Sequence, residues 1–254
     1  MNIQELFILI SDLGHGPLYF LIALMVIAIG WRQFRTTSGQ KHELLSLGWR
    51  LATFWITGVL LNTAFKYYFL SPRPWWVDPN LPPLHPHPAG GYGMPSGHTQ
   101  SAIGIILFSI GLTQLLHKRG QIDKVMKTGV ILLGVTWVTL IASSRIVLHA
   151  HSLKQVLMGA VLGSIWSLSL VYIQRSKKGP ILLLNLTLVL TLVCLWQATH
   201  RVDTIPDQFV AQLTAYHVMP PSGPPLNLLM CFSTMSLFSV WSLKWLYTKR
   251  NSMP

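Results

Sequence analysis

The segment Lys127-Thr-Gly-Val-Ile-Leu-Leu-Gly-Val-Thr-Trp-Val-Thr-Leu-Ile-Ala-Ser-Ser-Arg-Ile146 decides the fold. Its interior is apolar or small, and its charges stand only at the two ends. About twenty such residues in a helix match the hydrocarbon thickness of a bilayer. Six further stretches read the same way, near 6–31, 50–70, 97–116, 153–173, 180–199 and 226–247. The pattern therefore predicts an all-α polytopic membrane bundle of about seven helices, forming one domain over 1–254. The first stretch is interrupted by Asp12, Gly14 and Pro17, so it is expected to begin as a short interfacial segment.

Composition agrees. Charged residues make up 10% of the chain against about 25% in a soluble domain, and mean hydropathy is +0.46. The net charge of +12 does not point to nucleic acid, because the cations cluster at the ends of apolar runs. Cys194 and Cys231 fall inside apolar runs and read as small buried hydrophobes. No basic n-region precedes the first apolar run, so no cleaved signal peptide is expected.

Charge also sorts the loops. One set holds Arg32, Arg35, Lys41 and Arg50, then Lys118, Arg119, Lys124 and Lys127, then Arg175, Lys177 and Lys178, then Lys244, Lys249 and Arg250. The other keeps only Lys66, Arg73, Arg145, Lys154 and Arg201. Lys and Arg accumulate in cytoplasmic loops, so the amino terminus is placed outside and the carboxyl terminus inside. This fits a bacterial inner-membrane protein with its chemistry on the periplasmic or lumenal face.

That poorly charged side carries the chemical residues. Lys66 and Arg73 precede Pro74; Pro95-Ser96-Gly97-His98 opens the third span; Ser144-Arg145 closes the fourth; His151 precedes the fifth. Arg offers a planar fork for phosphate oxygens and Lys a point charge. The seven acids are Glu5, Asp12, Glu43, Asp78, Asp123, Asp203 and Asp207, none of them near Arg145 or His151 in sequence. Lys66, Arg73 and Arg145 are therefore expected to meet an external anion or face water. Ser96 and Gly97 suit a helix start where backbone N–H groups favour an anion. His151 is the candidate nucleophile and His98 the acid–base partner. Gln155, four residues on, is expected to accept the Nδ1–H of His151 and fix its tautomer. His85-Pro86-His87 lacks companion ligands at metal-site spacing, so no metal or cofactor is expected. Trp75-Trp76 read as interfacial anchors or, alternatively, as a wall against the substrate.

Lys66 to Pro74, Pro95 to His98 and Ser144 to His151 resemble the three signatures of the type 2 phosphatidic acid phosphatase and vanadium haloperoxidase superfamily. The resemblance spans roughly 50–170. It implies a metal-independent phosphatase, with His151 as nucleophile, His98 as acid–base, and Lys66, Arg73, Ser96, Gly97 and Arg145 binding phosphate. The common pattern has aspartate where this chain has Gln155, a variant that glucose-6-phosphatases and dolichyl diphosphate phosphatases are similar to. Phe65 to Trp76 resembles the former; Tyr92 to Gln100 resembles polyprenyl diphosphate enzymes. The implied substrate is a phosphomonoester or diphosphate, favoured as lipid-linked because the site lies at headgroup level. A sugar phosphatase and a non-enzymatic phosphate-ester transporter are the alternatives. Membrane lipids are the other expected partner. Nothing in the sequence fixes the oligomeric state.

Overall fold

The structure, a computed structural model, describes residues 2–36, 43–88, 91–118, 120–175, 179–200 and 207–218, together with Ser236 and Trp241. The described residues contain helices and no strand. The helices are α1 (Ile3–Leu13), α2 (Gly16–Thr36), α3 (Glu43–Phe69), α4 (Pro74–Val77), α5 (Gly97–Lys118), α6 (Lys124–Val147), α7 (Leu153–Arg175), α8 (Gly179–His200) and α9 (Asp207–Ala215).

Four helical segments are long and apolar enough to cross a membrane: Gly16–Arg35, Leu44–Val77, Lys124–Val147 and Leu153–Leu170. Helix α5 has span length but opens with His98, Thr99, Gln100 and Ser101. Helix α8 contributes a shorter apolar stretch, Leu182–Gln197. The span expected at 226–247 lies outside the described residues except for Ser236 and Trp241.

The expected helix over 6–31 is two helices. Helix α1 starts with a capping box, in which Glu5 N donates to Asn2 Oδ1 (2.8 Å) and Asn2 N to Glu5 Oε2 (2.9 Å). It stops at Gly14, and Pro17, which has no N–H and clashes with a preceding turn, is placed in the first turn of α2. The break turns α1 aside to pack on α6.

Helix α3 is the centre of the bundle and packs on α2, α5, α7 and α8. Its residues 51–58 are all buried. The α2–α3 contact is close because glycines face backbone: a Cβ on Gly30 would lie 2.5 Å from Leu45 N, and one on Gly48 2.8 Å from Ile27 N. Outer helices instead expose large apolar side chains, such as Leu133 on α6, Leu168 on α7 and Leu192 on α8. Such faces are suited to lipid. Hydroxyls in the helices donate back to their own carbonyls, as Thr53 to Trp49 (2.8 Å) and Thr187 to Leu183 (2.9 Å).

Candidate active site

The C-terminal ends of α3 and α6 and the N-terminal ends of α5 and α7 lie at one end of the bundle. Lys66, His98, Arg145 and His151 all come from these ends or from the adjoining loops. The loop from α6 to α7 is short, and His149 makes its reversal with φ of 56°, the left-handed region that few non-glycine residues enter. Its Nδ1 pairs with Pro82 O (2.8 Å). His151 N then donates to Arg145 O (3.0 Å), so the end of α6 fixes the backbone of His151.

Arg73 is 3% exposed. It caps α4, where Pro74 fills the first helical position. Its Nε donates to Gly91 O (2.6 Å), its Nη1 to Ala150 O (2.8 Å), and the same Nη1 lies 3.4 Å from His151 Nε2. A guanidinium N–H only donates, so Nε2 is the lone-pair nitrogen and Nδ1 carries the ring proton. Lys66 Nζ donates to Tyr92 O, and Arg145 Nη1 to Ser11 Oγ. Burial, then the charges of Arg73, Arg145, Lys66 and His98, hold the His151 imidazole well below its ordinary value of 6.5. The ring is therefore neutral at neutral pH.

Of the two expectations for the three cations, an external anion or water, the water-facing one is corrected. Arg73 and Arg145 are buried, Lys66 is half-buried, and all three donate to neutral oxygens. Neutral acceptors leave positive charge on Lys66 and Arg73 to meet an arriving anion, while Asp12 is near enough to act on Arg145.

Gln155 is also corrected. It makes no hydrogen bond to His151, whose buried Nδ1 has no partner among the described residues. Its Oε1 accepts from Ser152 N (3.1 Å), while Gln155 N donates to Ser152 Oγ (3.4 Å), a capping box at the start of α7. Its Nε2 donates to Ser71 Oγ (3.0 Å) and Pro72 O (2.7 Å), and its carbonyl accepts from Ser96 N (3.0 Å). Gln155 thus joins the backbones that carry Arg73, Ser96 and His151. The pattern Ser152-x-x-Gln155 was the readable signal for this role. Replacing Gln155 by alanine removes three side-chain bonds of about 1 kcal/mol each. A fall in Tm of several degrees in detergent is the expected result, and an unchanged Tm would show that these bonds are dispensable.

Ser96 is fully buried, and its Oγ accepts from Thr99 Oγ1 (3.1 Å). A Cβ on Gly159 would lie 2.5 Å from Ser96 O, so α7 approaches this turn as closely as glycine permits. The Met94–Pro95 peptide is cis. Asn62 Nδ2 donates to Gln100 Oε1 (2.7 Å), and Gln100 Nε2 to Gly58 O (2.9 Å), tying α5 to α3. Trp75 and Trp76 are each 1% exposed, packed with Tyr67, Tyr92 and Leu213. They are not interfacial anchors; Trp75 lines the site as a wall.

A cavity of about 450 Å³ opens here. Arg73, His98, Arg145 and Ala150 line its inner part. Ser11 and Asp12 reach it from α1, His15 from the turn between α1 and α2, and His85 and His87 from the loop before α5. The rings of His15 and His98 meet edge-on at 5.4 Å. No local pattern marked Ser11, Asp12 or His15, because their place depends on how α1 docks. Among the described residues no group of three or more His, Cys, Asp or Glu is disposed to hold a metal.

Apolar helices around a cavity lined by Arg73, Arg145 and four histidines, with His151 buried behind Arg73, describe an integral membrane protein that handles an anion. A family model described as the PAP2 superfamily matches residues 47–180, and the chain belongs to that superfamily. It is a membrane phosphatase of the PAP2 type. No curated protein matches the chain. Among solved structures it is similar to the first transmembrane PAP2 type phosphatidylglycerolphosphate phosphatase from Bacillus subtilis. The two are 22% identical over 65% of this chain and 73% of that one, with a TM-score of 0.50. That likeness is one of fold.

Proposed function

We propose that the chain hydrolyses a lipid-linked phosphate ester through a phosphohistidine on His151, at the non-cytoplasmic face of a bacterial inner membrane. The observation that carries this reading is Arg73, which touches both Ala150 O and the His151 ring and lines one cavity with Arg145 and His98.

A phosphoryl group entering this cavity takes up the N–H donors of Arg73 and Arg145, with Lys66 and the first turn of α5 adding positive potential. His151 Nε2 attacks phosphorus; the N–P bond forms as the P–O bond to the leaving group breaks. His98 gives its proton to the leaving oxygen. It then takes a proton from water, whose oxygen attacks phosphorus, breaks the N–P bond and releases inorganic phosphate. Preorganised cations are well suited to phosphoryl transfer, where charge gathers on the equatorial oxygens.

A lipid anchor is favoured by the surface beside the site. Val147 and Leu153, flanking the loop that holds His151, are 37% and 59% exposed. Acyl or prenyl chains can lie against them while the phosphate enters from the headgroup level. The basic loop residues lie at the opposite ends of the helices, among them Arg32 and Arg35 on α2 and Lys124 and Lys127 on α6. That distribution supports the outward-facing orientation.

Quenching a turnover with detergent at alkaline pH, using substrate labelled in the transferred phosphoryl group, should trap label on His151 that is stable to base and released by acid. Absence of label during active turnover would overturn the covalent route. EDTA is expected to leave phosphate release unchanged, since every role above falls to a side chain; loss of activity restored by a divalent cation would contradict it.

A further inference from the structure

The cavity is far larger than one phosphoryl group, which displaces only a few waters of about 30 Å³ each. The space beyond the inner cations has a different character. Asp12, His15, His85 and His87 line it, and among the described residues no Lys or Arg besides Arg73 and Arg145 does. Asp12 is held there from two sides. Its neighbour Ser11, 1% exposed, takes the hydrogen bond from Arg145, and its own Oδ1 lies 3.0 Å from His85 Nε2. His85 Nδ1 lies 3.1 Å from His87 N and 3.2 Å from His87 O; in the tautomer that accepts from His87 N, Nε2 carries the proton toward Asp12.

Both supports are themselves tied down. Gln4 Nε2 donates to Leu84 O (3.0 Å), and Leu84 N to Leu148 O (3.3 Å), so helix and loop form one rim around the mouth. Ser11 and Asp12 lie outside the residues the family model matches. The other half of the rim, Leu84, His85, His87 and Leu148, lies inside them, so only its α1 side is beyond the matched core.

We propose that Asp12 determines specificity by selecting the leaving group: it accepts hydrogen bonds from a hydroxyl-bearing alcohol and disfavours a second phosphoryl group. The inference rests on the phosphatase reading above and narrows it to phosphomonoesters. With one phosphoryl group on Arg73 and Arg145, the atoms that follow it enter the rim. A diphosphate would there set negative oxygens against a carboxylate, with no further Lys or Arg among the described lining residues to receive them. A glycerol or similar polyol instead finds a carboxylate oxygen and imidazole nitrogens, which exchange hydrogen bonds with hydroxyls. Selectivity arises from a repulsive element placed beside an attractive one.

The test compares kcat/KM for a short-chain phosphatidylglycerol phosphate with that for farnesyl diphosphate, using the full chain in detergent and reading released phosphate. Asp12→Asn removes the charge and keeps the shape. The Asp12 side chain is 59% exposed and its charge is partly screened, so the monoester preference should fall about threefold or more. His85→Ala should move the preference the other way, because the Asp12 carboxylate then loses its hydrogen-bonding partner. A merely structural role for the rim would shift both variants alike. A ratio within about twofold of wild type in active Asp12→Asn, or the same direction of change in both variants, overturns the proposal. Failure of the wild-type chain to release phosphate from either ester sinks the phosphatase reading itself, which keeps the two failures distinct.

Discussion

Replacing His151 by asparagine should abolish turnover, with kcat falling on the order of 10⁴-fold or more, as for removal of a covalent nucleophile. The fold should survive. The backbone N–H of His151 bonds Arg145 O whatever the side chain, and the ring's hydrogen-bonding contact is the 3.4 Å approach of Arg73. The variant should keep a Tm within a few degrees of the parent, bind phosphate or vanadate through the unaltered cations, and give no acid-labile label. Turnover near the parent rate would show that another group attacks phosphorus. A pH profile gives a second reading of the same site. Because burial and the neighbouring cations hold the imidazole below 6.5, the ring proposed as nucleophile stays unprotonated into mildly acidic solution. The free-enzyme kcat/KM profile should lack an acidic limb from His151 at its ordinary value and lose activity only further down. The stability linkage has a definite sign. The unfolded chain takes a proton at this histidine near pH ~6.5 while the fold resists it. Its contribution is therefore present above that pH and lost as pH falls below it.

The bundle and the motifs were legible because each rests on local pattern. The 127–146 run names a span by its own length and polarity, and α6 covers Lys124–Val147. Lys66, Arg73, His98, Arg145 and His151 stood out as costly polar groups at the edges of apolar runs. What local pattern left open was pairing across the chain. Gln155 looked four residues distant from His151 on one helical face, but His151 precedes α7 and is not on its helical ladder, so the spacing rule did not apply. Trp75-Trp76 looked interfacial because their cover, Leu213 and Phe209 on α9, is remote in sequence. The acids seemed far from Arg145 because sequence distance was taken for spatial distance. Asp12, 133 positions away, shares its cavity. Each of these corrections concerns a contact made by docking one element on another, which no periodicity encodes.

Arg73→Lys should lower kcat/KM about 10²- to 10³-fold although the formal charge is kept, because a point charge cannot replace a fork. Arg73 makes contacts on two sides at once. Nε is committed to Gly91 O and Nη1 to Ala150 O, which aims the guanidinium between the loop before α5 and the loop that carries His151. A lysine ammonium, compact and free to rotate, can satisfy one of these carbonyls but cannot bridge both while facing the His151 ring. Its loss would leave a buried carbonyl unpaired, at a cost of about 1–3 kcal/mol. It would also surrender the planar pair of donors that a phosphoryl group needs. The split between parameters separates this geometric reading from simple charge attraction. If Arg73 only attracts the anion, the lysine variant should nearly match the parent in kcat and differ little in KM. If Arg73 sets the position of the phosphoryl group against His151 Nε2, kcat should fall with KM altered far less, because misalignment is felt most in the transition state. Adding guanidinium ion should then restore part of the activity of Arg73→Ala but none of that of His151→Asn. The first lacks a donor that solution can supply, and the second lacks the atom to which phosphorus bonds.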